Sequence, residues 1–514
     1  MLFNSFVFLF YYLPIVVIVF FWLGRYNPSL SAAWLGFSSL VFYGYWDYHY
    51  IPLLLCSICF NFWTGYKISS AEIKQRKIWL IFAITSNLLL LAYFKYTDFF
   101  INTINAVSNA DFETLNIVLP IGISFYTFTQ IAFLVDTYEG KVKEYHFVHY
   151  LLFVTYFPHL IAGPVLHHKE MMPQFANSKI YRFSKSDFSI GITIFCIGLA
   201  KKVLIADNLA PYANTLFNGA DAPTLFIAWG GVLAYTFQLY FDFSAYSDMA
   251  IGLSRMFGVK LPLNFNSPYK SSNISEFWRR WHMTLSRFLR DYLYIPLGGN
   301  RVSSLKRYRN LMVVMLLGGL WHGAGWNFVI WGGLHGIYLI IHHGWVEFAK
   351  KIRFPVASIV WKIIATMLTF MSVCFAWVFF RAPDLSIALE IIYGMFGVFG
   401  VQLPDAIGTR LGIFAPFLQE LGITYFLGGG RIFIETWIWI TFATLIAFFL
   451  PNTQEILRNF RPALDLKYTE ESADKIPGYL IWKPSKLWAI SIGIIAVLSL
   501  LSLNRPNDFL YFQF

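Results

Sequence analysis

The chain has 514 residues, 57% hydrophobic and 20% aromatic, with only 13% charged. Soluble proteins carry about a quarter of their residues as charges, so this composition excludes a water-facing surface of that size, and its apolar content excludes disorder. The formal net charge of +11 then reads as basic cytoplasmic loops on an anionic leaflet, with no nucleic-acid partner expected.

The apolar residues come in long runs instead of alternating, which predicts an all-α polytopic membrane protein and not a barrel. Spanning takes about 20 apolar residues. Runs of this kind lie near 4–23, 30–46, 50–66, 78–96, 117–135, 147–166, 188–206, 225–252, 311–345, 357–380, 434–450 and 486–503. Several contain Gly, Pro and His, so about ten to thirteen membrane-embedded helices are expected, some re-entrant, in one domain over 1–514. The first run lacks the basic start and cleavage site of a signal peptide and reads as a retained helix. Cys56, Cys59, Cys196 and Cys374 all sit in apolar runs, which argues against a disulfide scaffold. No zinc-type His spacing, Walker loop, dinucleotide fingerprint or GxSxG elbow is present, so neither a metal nor a bound cofactor is expected.

Loop charge sets orientation. Loops 67–77, 301–310 and 346–353 are rich in Lys and Arg (Lys74, Arg76 and Lys77; Arg301, Lys306, Arg307 and Arg309; Lys350, Lys351 and Arg353) and read as cytoplasmic. Loop 97–116 holds Asp98, Asp111 and Glu113 without a base and reads as extracytoplasmic. Counting passes puts both termini outside. The basic loop 167–187 breaks this parity if 117–135 and 147–166 both span. Pro158, Gly163 and Pro164 in the run FPHLIAGP break a helix and predict a re-entrant element there.

Four stretches could carry chemistry. His159 lies in that broken run. Run 225–252 contains QLYFDFSAYSD, with Tyr240, Asp242, Ser244, Tyr246, Ser247 and Asp248. Two carboxylates are expensive to bury unless paired, and an internal network with an arginine of the next helix is expected. Residues 273–295 open on Asn273 and Glu276, a capping-box pattern. They continue as a basic amphipathic helix at the membrane interface, with Arg279, Arg280, Arg287 and Arg290 opposite Phe277, Trp281, Leu285 and Phe288. His282 falls at the border of the two faces. The arginines suit either a surface anchor or the phosphates of an anionic donor.

The fourth stretch, 311–345, is flanked by basic loops on both sides and must enter and return. Its 35 residues are short of two full spans. Leu311 to His322 rises roughly 18 Å, which places His322 near the middle of a bilayer core about 30 Å thick. Trp321 precedes it and the turn Gly323-Ala324-Gly325 follows. Gly318-Gly319 permits close approach of another helix. An ionisable residue at that depth is a functional hypothesis by default. His335, thirteen residues on, reads as packing. Buried His and Asp with broken helices also describe a proton-coupled transporter.

EFWRRWHMTLSRFLRDYLYIPLGGNR at 276–301, GGLWHGA at 318–324, LPIGISFYTF at 119–128, HLIAGPV at 159–165, QLYFDFSAYSDMAIGL at 238–253 and the terminal YFQF resemble the membrane-bound O-acyltransferase family, in its bacterial polysaccharide-acetylating branch, alginate type foremost. The resemblance implies an irregular ring of helices around a central tunnel. It implies an O-acetyltransferase of the bacterial inner membrane moving acetyl from a cytoplasmic donor, acetyl-coenzyme A, toward an extracytoplasmic polysaccharide. Alginate-like polymer is favoured; peptidoglycan acetylation and teichoic-acid D-alanylation are the alternatives. The family's catalytic histidine matches His322 and its second histidine His282. Tyr240, Asp242, Trp321 and Asn327 are expected to support the site or line the tunnel, and Arg279 and Arg280 to bind the donor. A periplasmic acetyltransferase partner and membrane lipid are the expected associates.

Overall fold

The computed structural model describes residues 1–142, 146–161, 163–219, 221–356, 358–464, 476–503 and 510. The terminal YFQF string lies outside the described residues. In chain order the helices used below are α1 (Phe8–Gly24), α2 (Pro28–Gly44), α3 (Ile51–Ser70), α4 (Ile73–Ser108), α5 (Ile123–Tyr138), α6 (Phe147–Thr155), α7 (Lys185–Phe217, widened by a π turn at Lys201–Ala206) and α8 (Leu225–Met256). They continue as α9 (Ile274–Arg280), α10 (Met283–Leu289), α11 (Ser304–His322), α12 (Trp326–Lys351), α13 (Ile359–Arg381), α14 (Gly430–Phe449) and α15 (Lys486–Leu501). The fold is all-α and polytopic: Tyr48–Ser70, α4, α7, α13 and α14 are each long and apolar enough to cross a membrane. Their lipid-sized apolar faces stay exposed, as Leu89, Ile364 and Phe442 do.

The core forms around α8, which is buried along most of its length and packs on α7. Glycine makes this possible. A Cβ on Gly191 would stand 2.6 Å from the Gly252 carbonyl oxygen, so only glycine lets the two backbones touch. A second seam joins α3, α4 and α5 through amides. Asn61 Nδ2 and Ser57 Oγ each donate to Gln130 Oε1 at 2.8 Å, and Asn87 Nδ2 donates to Asn61 Oδ1 at 2.7 Å. Buried side-chain hydrogen bonds of this kind hold helices together where no water competes.

The break expected in the run FPHLIAGP is present, and three other features differ in detail. The segment 147–166 is two short helices, α6 and Phe157–Leu160, broken at Tyr156. The nine residues of α6 rise only about 14 Å, too little to cross. The carboxylates of α8 pair with lysines of the π turn, not with an arginine. Lys202 Nζ is 2.8 Å from Asp242 Oδ1 and 2.9 Å from Asp207 Oδ1, while Lys201 Nζ is 2.8 Å from Asp248 Oδ2. The stretch 273–295 is not one helix: α9 and α10 are separated at Trp281-His282, and a π turn, Arg290–Tyr294, follows. Between α13 and α14 the chain forms a small parallel pair of strands, β1 (Val401–Pro404) and β2 (Ile423–Phe426), which hydropathy did not signal.

Candidate functional site

The site is assembled where two helices end. Helix α11 stops at His322, with Gly323 in extended backbone, and α12 starts at Trp326. The two pack back to back through Gly319 and Gly332. A Cβ on Gly319 would lie 2.2 Å from the Phe328 carbonyl oxygen, and one on Gly332 would lie 2.3 Å from that of Met315. This contact draws Trp331 beside His322, with ring centres 5.1 Å apart and planes nearly perpendicular. Phe380 of α13 closes another side at 5.3 Å, and Trp321 stands 4.8 Å away.

The second histidine arrives by a break. Trp281 is extended and His282 has φ 42°, the left-handed region that costs a non-glycine residue about 1–2 kcal/mol. The upstream strand-like segment holds this geometry. Asn266 N donates to Arg280 O at 2.9 Å, and Met283 N donates to Asn264 O at 3.0 Å. Asn264 Oδ1 accepts from Thr284 N at 3.2 Å and Thr284 Oγ1 at 2.9 Å, and it lies 3.2 Å from His282 Nδ1. An oxygen already accepting an amide N–H requires Nδ1 to donate, so the neutral ring keeps its lone pair on Nε2. That Nε2 is buried and has no hydrogen-bond partner among the described residues. The His282 ring lies 6.3 Å from that of His322. The Trp331 indole N–H is likewise buried without an acceptor among the described residues. A candidate acceptor, His282 Nε2, and a candidate donor, Trp331 Nε1, thus lie on rings that touch His322.

A cleft of about 130 Å³ is lined by Trp46, Lys95, Pro120, Gly122, Ser124 and Trp321 among others. Trp321 is part of its wall; His322 is not. Trp321 in turn stacks on Phe128 at 5.2 Å, and Phe128 on Phe288 of α10 at 4.3 Å. This three-ring column joins α5, α10 and α11, and its Trp321 ring lies 4.8 Å from that of His322 and 6.1 Å from that of His282.

The other expected residues separate into groups. Tyr240 packs on Tyr269 and, at 6.5 Å, on Trp281. Asp242 is bound in the Lys202 pair and also accepts from Leu510 N at 2.9 Å, and the described contacts do not join it to either histidine. Asn327 Nδ2 donates to Ala382 O at 3.0 Å and ties α12 to the end of α13. Arg280 is held by Glu276 at 2.9 Å and by Asn266 O at 3.2 Å, whereas Arg279 is exposed. His335 Nδ1 accepts from Trp278 Nε1 at 3.3 Å, and His159 Nε2 lies 3.0 Å from Phe153 O. Three contributors escaped the sequence reading. Trp331 and Phe380 look like ordinary core aromatics. Lys95 sits at the edge of the run 78–96, where a lysine reads as one that snorkels to the interface; α4 in fact continues to Ser108.

Comparison with known proteins gives this arrangement a class. The model of MBOAT, the membrane-bound O-acyltransferase family, matches residues 117–382, which include both histidines and the rings around them. The chain belongs to this family and is a multi-pass membrane acyltransferase. Among its relatives it is 47% identical over 431 residues to a peptidoglycan O-acetyltransferase of Helicobacter pylori, covering 78% of this chain and 81% of that one. It is 39% identical over 524 residues to a probable alginate O-acetylase of Pseudomonas putida, covering all of both chains. A teichoic acid D-alanyltransferase of Bacillus subtilis is 30% identical over 283 residues, 52% of this chain and 69% of that one.

Proposed function

We propose that the protein transfers an acetyl group from acetyl-coenzyme A, taken from the cytoplasm, to a hydroxyl on the far side of a bacterial inner membrane, for O-acetylation of an envelope polysaccharide. The observation that carries the reading is the buried pair His282 and His322, met at two helix ends within an acyltransferase family. His322 takes the proton of the attacking hydroxyl. The hydroxyl oxygen bonds the thioester carbonyl carbon, the carbon–sulfur bond breaks, and the thiolate leaves with the proton. His282, its Nδ1 committed to Asn264, supplies Nε2 as a second acceptor or relay. The alternative, His322 as transient acyl carrier, uses the same geometry.

The basic loops 67–77, 301–310 and 346–353 support a cytoplasmic donor side, with both termini outside. Arg279, exposed on α9, is the donor-phosphate contact, with Arg280 behind it bracing the helix. Among the described residues the segments between helices form no domain able to hold a polymer, which supports a periplasmic acetyltransferase partner. Alginate-like polymer is the first acceptor reading, favoured by the full-length likeness to an alginate O-acetylase; peptidoglycan is the second, favoured by the 47% identity.

The test incubates purified protein with acetyl-coenzyme A labelled in the acetyl group. Release of free thiol, with label on protein or acceptor, is expected. Intact donor after prolonged incubation would contradict the assignment of acetyl-coenzyme A, as a transporter or a mere scaffold would leave it whole. Ester-linked acetate in separated exopolysaccharide and peptidoglycan fractions then distinguishes the two polymers.

A further inference from the structure

Helix α11 must hold His322 at its last residue, where the backbone has no further turn to pin it. The final carbonyls of a helix lack partners within the helix, and at this depth each would be costly to leave bare. Helix α4 supplies what α11 cannot. Tyr96 Oη donates to Leu320 O at 2.9 Å. Lys95 Nζ donates to Trp321 O at 2.5 Å and to His322 O at 3.2 Å. Two adjacent side chains thus take the last three carbonyls of α11, including the candidate base's own.

The charge of Lys95 is the unusual part. Lys201 and Lys202, the other lysines well inside the fold, are matched by Asp248, Asp207 and Asp242. Lys95 is paired with no carboxylate among the described residues. Its counter-charge is the negative end of the α11 dipole, and its ammonium also lies 6.0 Å from the Trp321 ring centre. A lysine inside a membrane-spanning helix is rare and marks function more often than anchoring. A purely structural cap would be served by neutral donors, as Tyr96 shows one residue away. An ammonium has three protons, of which two reach α11. Lys95 also lines the same cleft as Trp321.

We propose that Lys95 is a positioning residue for acyl transfer: it fixes the carbonyl end of α11 from the neighbouring helix and so sets the place of the His322 ring against His282 and the reacting hydroxyl. The inference rests on the function proposed above, and its test keeps the two apart. Purified wild-type, Lys95→Met, Lys95→Arg and Tyr96→Phe proteins are compared for thiol release from acetyl-coenzyme A, with thermal unfolding measured on the same samples. Displacement of a catalytic group by about 1 Å can cost 10²-fold, so Lys95→Met should lower kcat by about 10- to 100-fold. KM for acetyl-coenzyme A should stay within about twofold, because no donor contact is lost. Lys95→Arg, which keeps charged donors, should recover part of kcat. If Lys95→Met does not fold, Tyr96→Phe carries the test: it removes one hydroxyl and should lower kcat a few-fold at constant KM. Wild-type kcat per folded molecule in the variant read would overturn the proposal, as would a raised KM with kcat intact. A wild-type protein inert toward acetyl-coenzyme A would contradict the proposed donor instead. The same ordering of variants is then required of ester-linked acetate in cells at matched membrane levels, and equal acetate in Lys95→Met and wild-type cells would overturn the role of Lys95.

Discussion

The imidazoles of His282 and His322 lie 6.3 Å apart, centre to centre, with planes inclined by 61°. They stand 40 residues apart in segments that have nothing in common but a helix end: α10 starts where His282 turns left-handed, and α11 stops at His322. Both rings are buried, His282 completely and His322 to 6% exposure. The two rings meet edge to face, and burial keeps bulk solvent from both.

The orientation of His282 depends on one oxygen. Asn264→Ala removes the acceptor of its Nδ1 and of the Thr284 amide and hydroxyl. Fixing the tautomer of a catalytic histidine is worth several powers of ten in the best-studied triad; for this more loosely coupled pair a fall in kcat of about 10-fold or more is expected. Thiol release by membranes normalised to protein level checks it. Wild-type turnover would remove His282 from the proposed relay.

The Trp331 indole, 5.1 Å from the His322 ring, has a buried N–H without an acceptor among the described residues. Trp331→Phe keeps the ring packing on His322 and deletes the donor. Removing one donor to a developing oxyanion costs about 10²–10³ in kcat, and a loss approaching that range with an unchanged melting temperature is expected. A variant with normal kcat would show that the indole only packs.

Trp321, one residue from the candidate base, lines the cleft. Trp321→Ala shortens that wall and breaks the column with Phe128 and Phe288. Water should then compete with the acceptor, so the ratio of thiol released to ester formed should rise above the wild-type value. An unchanged ratio would mean that Trp321 does not shield the reaction.

Much of the fold is legible in the sequence because bilayer length and hydropathy are blunt signals. The runs near 30–46, 225–252 and 357–380 correspond to α2, α8 and α13, and the turn after His322 lies where Gly323 and Gly325 put it. The proline-rich run at 157–164 also breaks as its composition demands. The break at His282 is different. Residues 273–295 contain neither Gly nor Pro, and the amphipathic pattern runs straight through. The distortion is imposed from outside by Asn264 and Asn266, whose partnership with Arg280 and Met283 exists only in three dimensions. The same holds for Asp242. Its burial was foreseeable, but its partner Lys202 lies 40 residues upstream, in a π turn that periodicity cannot display. Lys95 was hidden by position, since a lysine near the end of an apolar run resembles any other interfacial lysine.

Arg279 and Arg280 should separate under mutation. Arg279 is exposed, so Arg279→Ala should raise KM for acetyl-coenzyme A with kcat and stability little changed. Arg280→Ala also breaks the Glu276 pair and the Asn266 contact that braces the His282 turn, so it should lower kcat as well. Identical kinetics for the two variants would make the basic face a membrane anchor only.

The most direct measurement replaces His322 with alanine in the chromosomal copy, confirms wild-type abundance in the membrane, and assays ester-linked acetate on the envelope polysaccharides. Acetate should fall to the level of a strain lacking the protein. Acetate at the wild-type level would contradict the assignment of His322 to the transfer step.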